Sequence, residues 1–111
     1  MKELSKFEEQ ILLSVWKLES DAYGVAIYEH ITNLSGKDLA IGGIYFPLER
    51  LVKRGFLSAH KGDPTPKRGG QSKRYYRLTK SGMAELVKSR STQNKFWDNL
   101  PESELLPEGI K

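Results

Sequence analysis

Hydrophobic positions at helical spacing begin close to the start of the chain and predict a first amphipathic helix. Ser5 and Glu8 form the capping-box pattern that begins such a helix. Its core-facing residues share one stripe: Phe7, Ile11, Val15 and Leu18. Three more apolar residues lie on its other faces: Leu12, Leu13 and Trp16. Because a surface helix needs only one apolar stripe, we expect this helix to contact a partner subunit as well as its own core.

The same periodicity predicts a second helix over about 22–35, capped by Asp21 and ended by Gly36. Its inward-facing residues are predicted to be Ile27, Ile31 and Leu34. Gly24 lies inside this helix, where glycine costs about 1 kcal/mol relative to alanine. Either this glycine is merely tolerated, or another helix approaches closely there, as helix-turn-helix packing requires. The apolar run 39–41 predicts a very short strand.

A third helix is predicted from about Gly43 to Arg54, and Gly55 ends it. Its buried face is marked by four apolar residues at helical spacing: Ile44, Leu48, Leu51 and Val52. Pro47 falls within this pattern. It is compatible with a helix only near the N-terminus, where few backbone donors are yet paired.

Two strand-like runs follow, 56–61 and 73–79, joined by a loop over 62–72 that is rich in glycine and proline. The second run alternates between two faces, as a strand does. Thr79 then caps a fourth helix over about 80–98. The apolar stripe of this helix consists of Met83, Leu86, Val87 and Trp97.

A short helix followed by two strands and a connecting loop is the order found in a winged helix-turn-helix. The sequence therefore predicts an α+β fold, mainly α, with a two-stranded wing and a C-terminal dimerisation helix. We expect the winged helix-turn-helix DNA-binding domain to span residues 1–80, the dimerisation helix residues 81–100, and a flexible tail residues 101–111.

Positive charge is concentrated in one part of the chain. Residues 50–80 contain ten lysines and arginines and a single acid, Asp63, so this segment carries +9 within a net charge of +4. Such asymmetry is typical of a protein that binds a polyanion, and nucleic acid is the expected partner; a solvated charged face is the alternative. The absence of cysteine excludes disulfides, thiolate metal sites and a cysteine nucleophile. With no apolar run long enough to span a bilayer, we expect a cytoplasmic protein without a membrane partner.

The exposed face predicted for the third helix combines a bare first turn with an aromatic ring and two cations: Gly42, Gly43, Phe46, Arg50 and Lys53. Such a helix suits the major groove of DNA, where its first turn reaches the base edges. There Phe46 would pack on a thymine methyl, and Arg50 would reach a guanine or a phosphate. The alternatives are that Phe46 is partly buried against the second helix or the wing, and that both cations are simply solvated.

The loop between the strands is the second candidate DNA contact. Its tip and returning edge place four cations around a glycine pair: Lys67, Arg68, Gly69, Gly70, Gln71, Ser72, Lys73 and Arg74. A flexible loop of this composition suits contacts along phosphates or in a minor groove, which provide affinity but little sequence information. A mobile solvated loop is the alternative.

No residue set in the sequence is suited to catalysis or to metal binding. His30 and His60 lie on different elements, and neither has a second ligand at metal spacing on its own helical face. P-loop, nucleophile-elbow and dinucleotide motifs are absent from the sequence. We therefore expect neither an enzyme nor a cofactor.

Trp16 and Trp97 lie near opposite ends of the chain, each on an apolar stripe. Both would be buried if the fourth helix crossed to a second subunit and packed on its first helix. We therefore expect a homodimer, which would match the two half-sites of a palindromic operator in double-stranded DNA. The alternative is a monomer in which these two helices pack on each other. The expected interface residues are Leu12, Leu13, Trp16, Leu86, Phe96 and Trp97.

Three segments carry a family resemblance: Ala22-Tyr23-Gly24, the run IGGIYFPLERLVKRGFL at 41–57, and GGQSKRYYRLTKSG at 69–82. Together they resemble the PadR family of bacterial transcriptional regulators over roughly residues 7–86. The resemblance implies a winged helix-turn-helix with a C-terminal dimerisation helix, and a transcription factor that is usually a repressor. By this likeness, the positions that match DNA-facing residues of the helix-turn-helix and of the wing are Tyr23, Tyr45, Lys73, Arg74 and Tyr75.

Two features depart from the family pattern. The family commonly places proline directly after the tyrosine of the third helix, whereas Phe46 follows Tyr45 here and Pro47 comes next. The operator sequence therefore does not transfer from relatives. The chain is also short after the fourth helix, as in the compact subgroup with a single C-terminal helix. A hydrophobic small-molecule effector near Trp16, Phe96 and Trp97 is a further hypothesis.

The sequence as a whole predicts a sequence-specific DNA-binding transcriptional regulator, a repressor that acts as a homodimer. The alternative is a winged-helix module for protein–protein interaction that binds an acidic protein surface and has no sequence-specific DNA binding.

Overall fold

Four α-helices and a two-stranded antiparallel sheet form the part of the chain that the structure describes. The structure is a computed structural model, and it describes residues 3–62 and 73–101. The elements in chain order are α1 (Lys6–Leu18), α2 (Gly24–Ser35), α3 (Tyr45–Lys53), β1 (Leu57–Lys61), β2 (Arg74–Leu78) and α4 (Lys80–Trp97). This order confirms the predicted fold class, mainly α with a two-stranded sheet after the third helix.

The core lies where the first three helices meet the sheet. Its buried hydrophobic residues are Ile11, Leu12, Val15, Ala22, Ile27, Ile31, Ile44, Leu48, Leu51, Phe56, Leu57, Tyr76 and Leu86. The only buried residues of α4 are Gly82 and Leu86, both in its first half. The described chain is elongated, with extents of 56 × 30 × 20 Å.

Two residues expected at a partner interface are part of this core. Leu12 is fully buried, and Leu86 is only 6% exposed. The buried stripe of α1 is wide enough to include Leu12 beside Ile11, so the expectation that Leu12 faces a second surface is wrong. Leu86 packs in the core of its own chain and also lines the groove between α1 and α4, so its assignment to a subunit interface stays a prediction.

A third chain segment, at the start of α2, also pairs with the two-stranded sheet, which the sequence pattern did not indicate. The pairs of β1 and β2 are Leu57 with Leu78, Ser58 with Arg77, Ala59 with Tyr76, His60 with Tyr75, and Lys61 with Arg74. Tyr23 forms a β-bridge with Tyr75, and the backbone N–H of Tyr76 donates to the carbonyl of Ala22 at 2.8 Å. The chain between α1 and α2 is thereby attached to the wing.

The strand predicted at 39–41 is wrong. Residues 39 and 40 have no regular structure, and Ile41–Ile44 forms a 3₁₀ turn that leads into α3. The hydroxyl of Tyr28 on α2 donates a 2.6 Å hydrogen bond to the carbonyl of Leu39. This carbonyl is therefore paired with a side chain and not with a neighbouring strand. The helix predicted from Gly43 accordingly begins at Tyr45, and Pro47 is its third residue, near the N-terminus as expected.

The start and the last turn of α2 also differ from the prediction. Asp21 lies in the 3₁₀ turn Glu19–Asp21 and does not cap the helix, because Tyr23 occupies the N-cap position without a side-chain hydrogen bond. Leu34 is 71% exposed, since the burial of α2 ends with Ile31, so its predicted inward orientation is wrong. Gly36 ends the helix in the left-handed conformation, as predicted.

A buried carboxylate fixes α3 against α1. Glu8 is only 2% exposed. Its side chain accepts a 2.8 Å hydrogen bond from the backbone N–H of Ser5, which completes the predicted capping box. Its Oε2 atom lies 3.4 Å from Nε of Arg50 and 3.4 Å from Nη1 of Arg54, both in the C-terminal part of the α3 segment. Burial raises the pKa of Glu8. The hydrogen bonds from Ser5 and the charges of the two arginines lower it by a larger amount, so the pKa lies below its ordinary value.

Replacing this carboxylate tests its role. We expect Glu8→Gln to lower the free energy of unfolding by about 1–3 kcal/mol near neutral pH, because hydrogen bonds to a charged group are lost inside the core. Since the folded-state pKa of Glu8 lies below its ordinary value of 4.5, its contribution is complete above that pH and is lost as the pH falls through the folded-state pKa. Denaturant unfolding at a series of pH values should therefore show wild type and variant converging in acid.

The matched control is Glu3→Gln, which removes an exposed carboxylate and should change stability by less than about 0.5 kcal/mol. A gap between wild type and Glu8→Gln that stays constant into acid would show that the charge of Glu8 is not what stabilises the fold.

Candidate nucleic-acid interface

The outer side of α3 carries an exposed aromatic ring stacked with a cation. Phe46 is 74% exposed, so the alternative that it is partly buried against α2 or the wing is wrong. One turn later, the guanidinium of Arg50 lies over the ring, 5.4 Å from its centroid. Since Arg50 also pairs with Glu8, it connects the buried carboxylate to the exposed phenyl ring. Lys53 is exposed on the same helix.

The turn that precedes α3 has an open backbone. Gly42 and Gly43 are exposed, neither has a positive φ, and a Cβ atom at either position would meet no other atom within 4 Å. The fold itself therefore does not require glycine there. Gly24 is different, because a Cβ atom would lie 2.5 Å from Cε1 of Tyr45. The close approach predicted at Gly24 is thus made by an aromatic ring of α3.

A row of aromatic rings extends from the start of α2 across the sheet. Tyr23 and Tyr75 meet edge to face with ring centroids 5.6 Å apart. The ammonium of Lys73 lies 3.7 Å from the centroid of Tyr23, within the range of a cation–π contact. On the far side, His60 stacks on Tyr75 with centroids 5.8 Å apart. A cation at the edge of the wing is therefore positioned by a ring at the start of α2.

One shallow concavity joins α3, the start of α2 and the wing. Four residues predicted from the sequence line it together: Tyr23, Tyr45, Lys73 and Arg74. These residues come from three separate segments of the chain, and the fold brings them to one surface. The predicted loop residues Lys67, Arg68 and Gln71 lie outside the described residues.

Glu49 also lines this concavity, and the sequence analysis did not single it out. Its two carboxylate oxygens accept hydrogen bonds from Nε and Nη2 of Arg74 at 3.0 and 2.8 Å, and one also accepts from the Tyr76 hydroxyl at 2.8 Å. The hydrogen bonds from Arg74 are the main reason that the pKa of Glu49 is lowered, while burial and the bond to Glu49 raise the pKa of Tyr76 to about 12. The signal in the sequence is that Glu49 is the only acid between residues 42 and 62.

A second candidate surface lies between α1 and α4. A groove of about 220 Å³ is lined by the apolar residues Leu13, Trp16, Met83, Leu86 and Val87. Ser89 donates a hydrogen bond to the carboxylate of Glu9 and holds the two helices together there. Every residue from 90 to 101 is exposed. The large apolar side chains exposed on these two helices and just beyond are Trp16, Val87, Phe96, Trp97 and Leu100, each 49–76% exposed.

The described residues contain neither a metal cluster nor a membrane-spanning helix. Among residues 3–62 and 73–101, no three histidine or carboxylate side chains are grouped so that they could hold a metal ion. No helix in the same part of the chain is long and apolar enough to cross a membrane. The Nδ1 atom of His30 is hydrogen-bonded to the Oγ atom of Ser14 at 2.8 Å.

Comparison with known proteins agrees with this geometry. The family model described as the transcriptional regulator PadR-like family matches residues 12–88. No curated protein sequence matches the chain significantly. Several solved structures share the fold at low sequence identity.

A PadR-like transcription factor from Bacteroides fragilis is 24% identical with a TM-score of 0.66, over 81% of this chain and 82% of that one. A PadR family regulator from Eggerthella lenta is 23% identical with a TM-score of 0.64, over 87% and 80% of the two chains. A PadR-like regulator from Bacillus cereus is 20% identical with a TM-score of 0.62, over 85% and 93%. At these identities the likeness establishes the winged-helix fold.

Two glycines offer a matched test of the open turn. Gly42→Ala should leave the free energy of unfolding unchanged or raise it by up to about 1 kcal/mol, because its conformation and surroundings accept a methyl group. Gly82→Ala should lower it by about 1–3 kcal/mol, since its Cβ would overlap the carbonyl oxygen of Phe56. If a duplex approaches the turn closely, Gly42→Ala weakens DNA binding in fluorescence anisotropy despite its intact fold. Wild-type affinity for Gly42→Ala would contradict that close approach.

Proposed function

Since the chain belongs to the PadR-like family of transcriptional regulators, we propose that it is a sequence-specific DNA-binding repressor that acts as a homodimer. Members of this family are transcriptional regulators and not enzymes. The observation that carries the proposal is the concavity lined by Tyr45, Tyr23 and Lys73, which joins the first turn of α3 to the wing, together with the exposed ring of Phe46 on the same helix turn. On it, aromatic rings are exposed next to cations.

In the proposed complex α3 lies in the major groove with its first turn toward the base edges. Arg50 and Lys53 follow on the same helix and reach the groove wall, and Lys73 contacts phosphate from the edge of the wing. The loop 63–72 would add further phosphate contacts through Lys67 and Arg68. Arg74 contributes less charge than its sequence position indicates, because Glu49 accepts two hydrogen bonds from it.

The proposed homodimer is supported by the exposure of the second half of α4. Its second half has no buried residue, and an unsupported helix of this length is marginal in water. Trp16 on α1 and Phe96 and Trp97 on α4 remain exposed, and monomeric proteins seldom leave several large apolar side chains uncovered on neighbouring elements. Packing of α4 against the apolar groove of a second copy would cover both sets.

A dimer of this kind presents two copies of α3 and would bind a palindromic operator. Repression would follow if the operator overlaps a promoter. The groove between α1 and α4 is the place we propose for a hydrophobic small-molecule effector, because it is apolar and adjoins the proposed subunit contact.

Selection of bound duplexes from a random DNA pool at two salt concentrations tests DNA recognition. We expect a two-fold symmetric motif whose half-sites are about one helical turn apart. With roughly six to ten phosphate contacts, affinity should fall by about 10³–10⁵ between 50 and 200 mM salt. Salt-sensitive binding without any enriched sequence would contradict the proposal and favour a winged-helix module that binds an acidic protein surface.

The subunit contact is tested separately by Trp97→Ala. We expect this variant to shift the dimer toward monomer in sedimentation equilibrium, because a tryptophan side chain buries about 150–250 Å² in an interface. Val25→Ala truncates an exposed apolar residue of α2 and should leave the dimer intact. A wild type that sediments as a monomer at all concentrations would contradict the homodimer.

A further inference from the structure

The leading surface of α3 has almost no side-chain hydrogen-bonding group. Five of the six positions from 41 to 46 are exposed, and Ile44 alone is buried. The exposed ones are Ile41, Gly42, Gly43, Tyr45 and Phe46. Of these, only Tyr45 has a polar side-chain atom. The part of the helix that would enter a groove first therefore presents mainly apolar side chains and backbone atoms for contact.

The hydroxyl of Tyr45 is directed away from this leading surface. The ring lies against the start of α2, where a Cβ atom at Gly24 would be 3.0 Å from the hydroxyl oxygen. Tyr45 also lines the concavity shared with Lys73 of the wing. It is thus suited to the groove wall, and Phe46 is left as the largest side chain that projects from the first turn.

Phe46 is also held in place. The guanidinium of Arg50 covers one face of its ring, and Arg50 is in turn tied to Glu8, which is 2% exposed. An exposed phenyl ring would ordinarily sample several rotamers, and this stack limits that freedom. The ring edge and its second face remain accessible beside a positive charge, which is the combination needed for an apolar contact close to a polyanion.

Only one group on the base edges of unmodified DNA matches such a surface. In the major groove the four base pairs present donors, acceptors and the C5-methyl group of thymine, and this methyl is the single apolar feature. A phenyl ring gains nothing from the amino, carbonyl or N7 groups, and it desolvates them at a cost when it covers them. Placed over a thymine, it buries the methyl group.

We propose, given the DNA-binding function proposed above, that Phe46 determines operator specificity by packing on the C5-methyl group of thymine in each half-site. The first turn of α3 then selects thymine through hydrocarbon contact. Arg50 acts as a positioning residue for the ring.

Deoxyuridine provides the test, because it differs from thymidine only by the missing methyl group and keeps the same hydrogen-bonding pattern. The operator obtained by selection is synthesised with each thymine replaced in turn by uracil. We expect at least one symmetric pair of positions at which uracil weakens binding of the wild type by about fourfold per half-site, the effect of one buried methyl group. In Phe46→Ala, thymine and uracil duplexes should bind equally at those positions.

Two further variants make the result specific. Phe46→Leu keeps an apolar side chain and should retain part of the thymine preference. Leu34→Ala truncates a residue that is 71% exposed, close to the 74% of Phe46, and should leave the preference unchanged. Thermal unfolding confirms that each variant is folded. The inference is overturned if an operator is selected but uracil is neutral at every position, or if Phe46→Ala keeps the full preference. Failure to select any operator is a different result, since it contradicts the DNA-binding function itself.

Discussion

The ion cluster around Glu8 is the contact on which the geometry of the protein surface depends. A carboxylate buried to this degree is stable only when its lone pairs are filled and its charge is balanced, and Ser5, Arg50 and Arg54 together meet that need. Because Ser5 and Glu8 cap α1 while both arginines belong to the α3 segment, the cluster fixes the orientation of one helix relative to the other. The exposed ring of Phe46 takes its position from the same cluster through Arg50.

A second set of contacts fixes the wing relative to α3. Tyr45 packs on the bare backbone of Gly24, and Tyr23 next to it pairs with Tyr75 of β2. Glu49 of α3 then receives two hydrogen bonds from Arg74. Three links therefore join α3, the start of α2 and the sheet into one rigid surface. Its rigidity matters for recognition, since ordering of side chains on binding costs free energy.

The sequence predicted those features that depend on local chemistry. The capping box, the early Pro47, the glycine at the end of α2 and the cap at Thr79 each follow from the needs of a helix terminus. It failed where a distant partner decides. Asp21 is a good N-cap residue, but the pairing of Ala22 and Tyr23 with β2 moves the start of α2 forward. Leu12 lies beside the predicted core stripe and is nevertheless buried, because the elements packed around α1 set the width of that stripe.

The candidate site was predicted in part for the same reason. Its aromatic and cationic residues occur in short sequence runs that can be recognised locally. Glu49, in contrast, is bonded to Arg74, which lies 25 residues away in the sequence. Glu49 directly precedes the basic segment 50–80, so the charge of +9 on that segment does not include the carboxylate that pairs with Arg74. The second role of Glu8 depends on Arg54, 46 residues away, and no local pattern indicates it.

The unpacked half of α4 has a consequence for how the protein responds to its own abundance. Within the described residues, the second half of α4 has no buried side chain; if it gains its order from the proposed association, helix formation and assembly become a single equilibrium governed by mass action. Dilution would then separate the two subunits of the proposed dimer and unfold the second half of α4, which joins their DNA-binding domains. Operator occupancy would rise more steeply than linearly with the amount of protein, and a gene under such control would respond to the rate of synthesis of its regulator as a threshold.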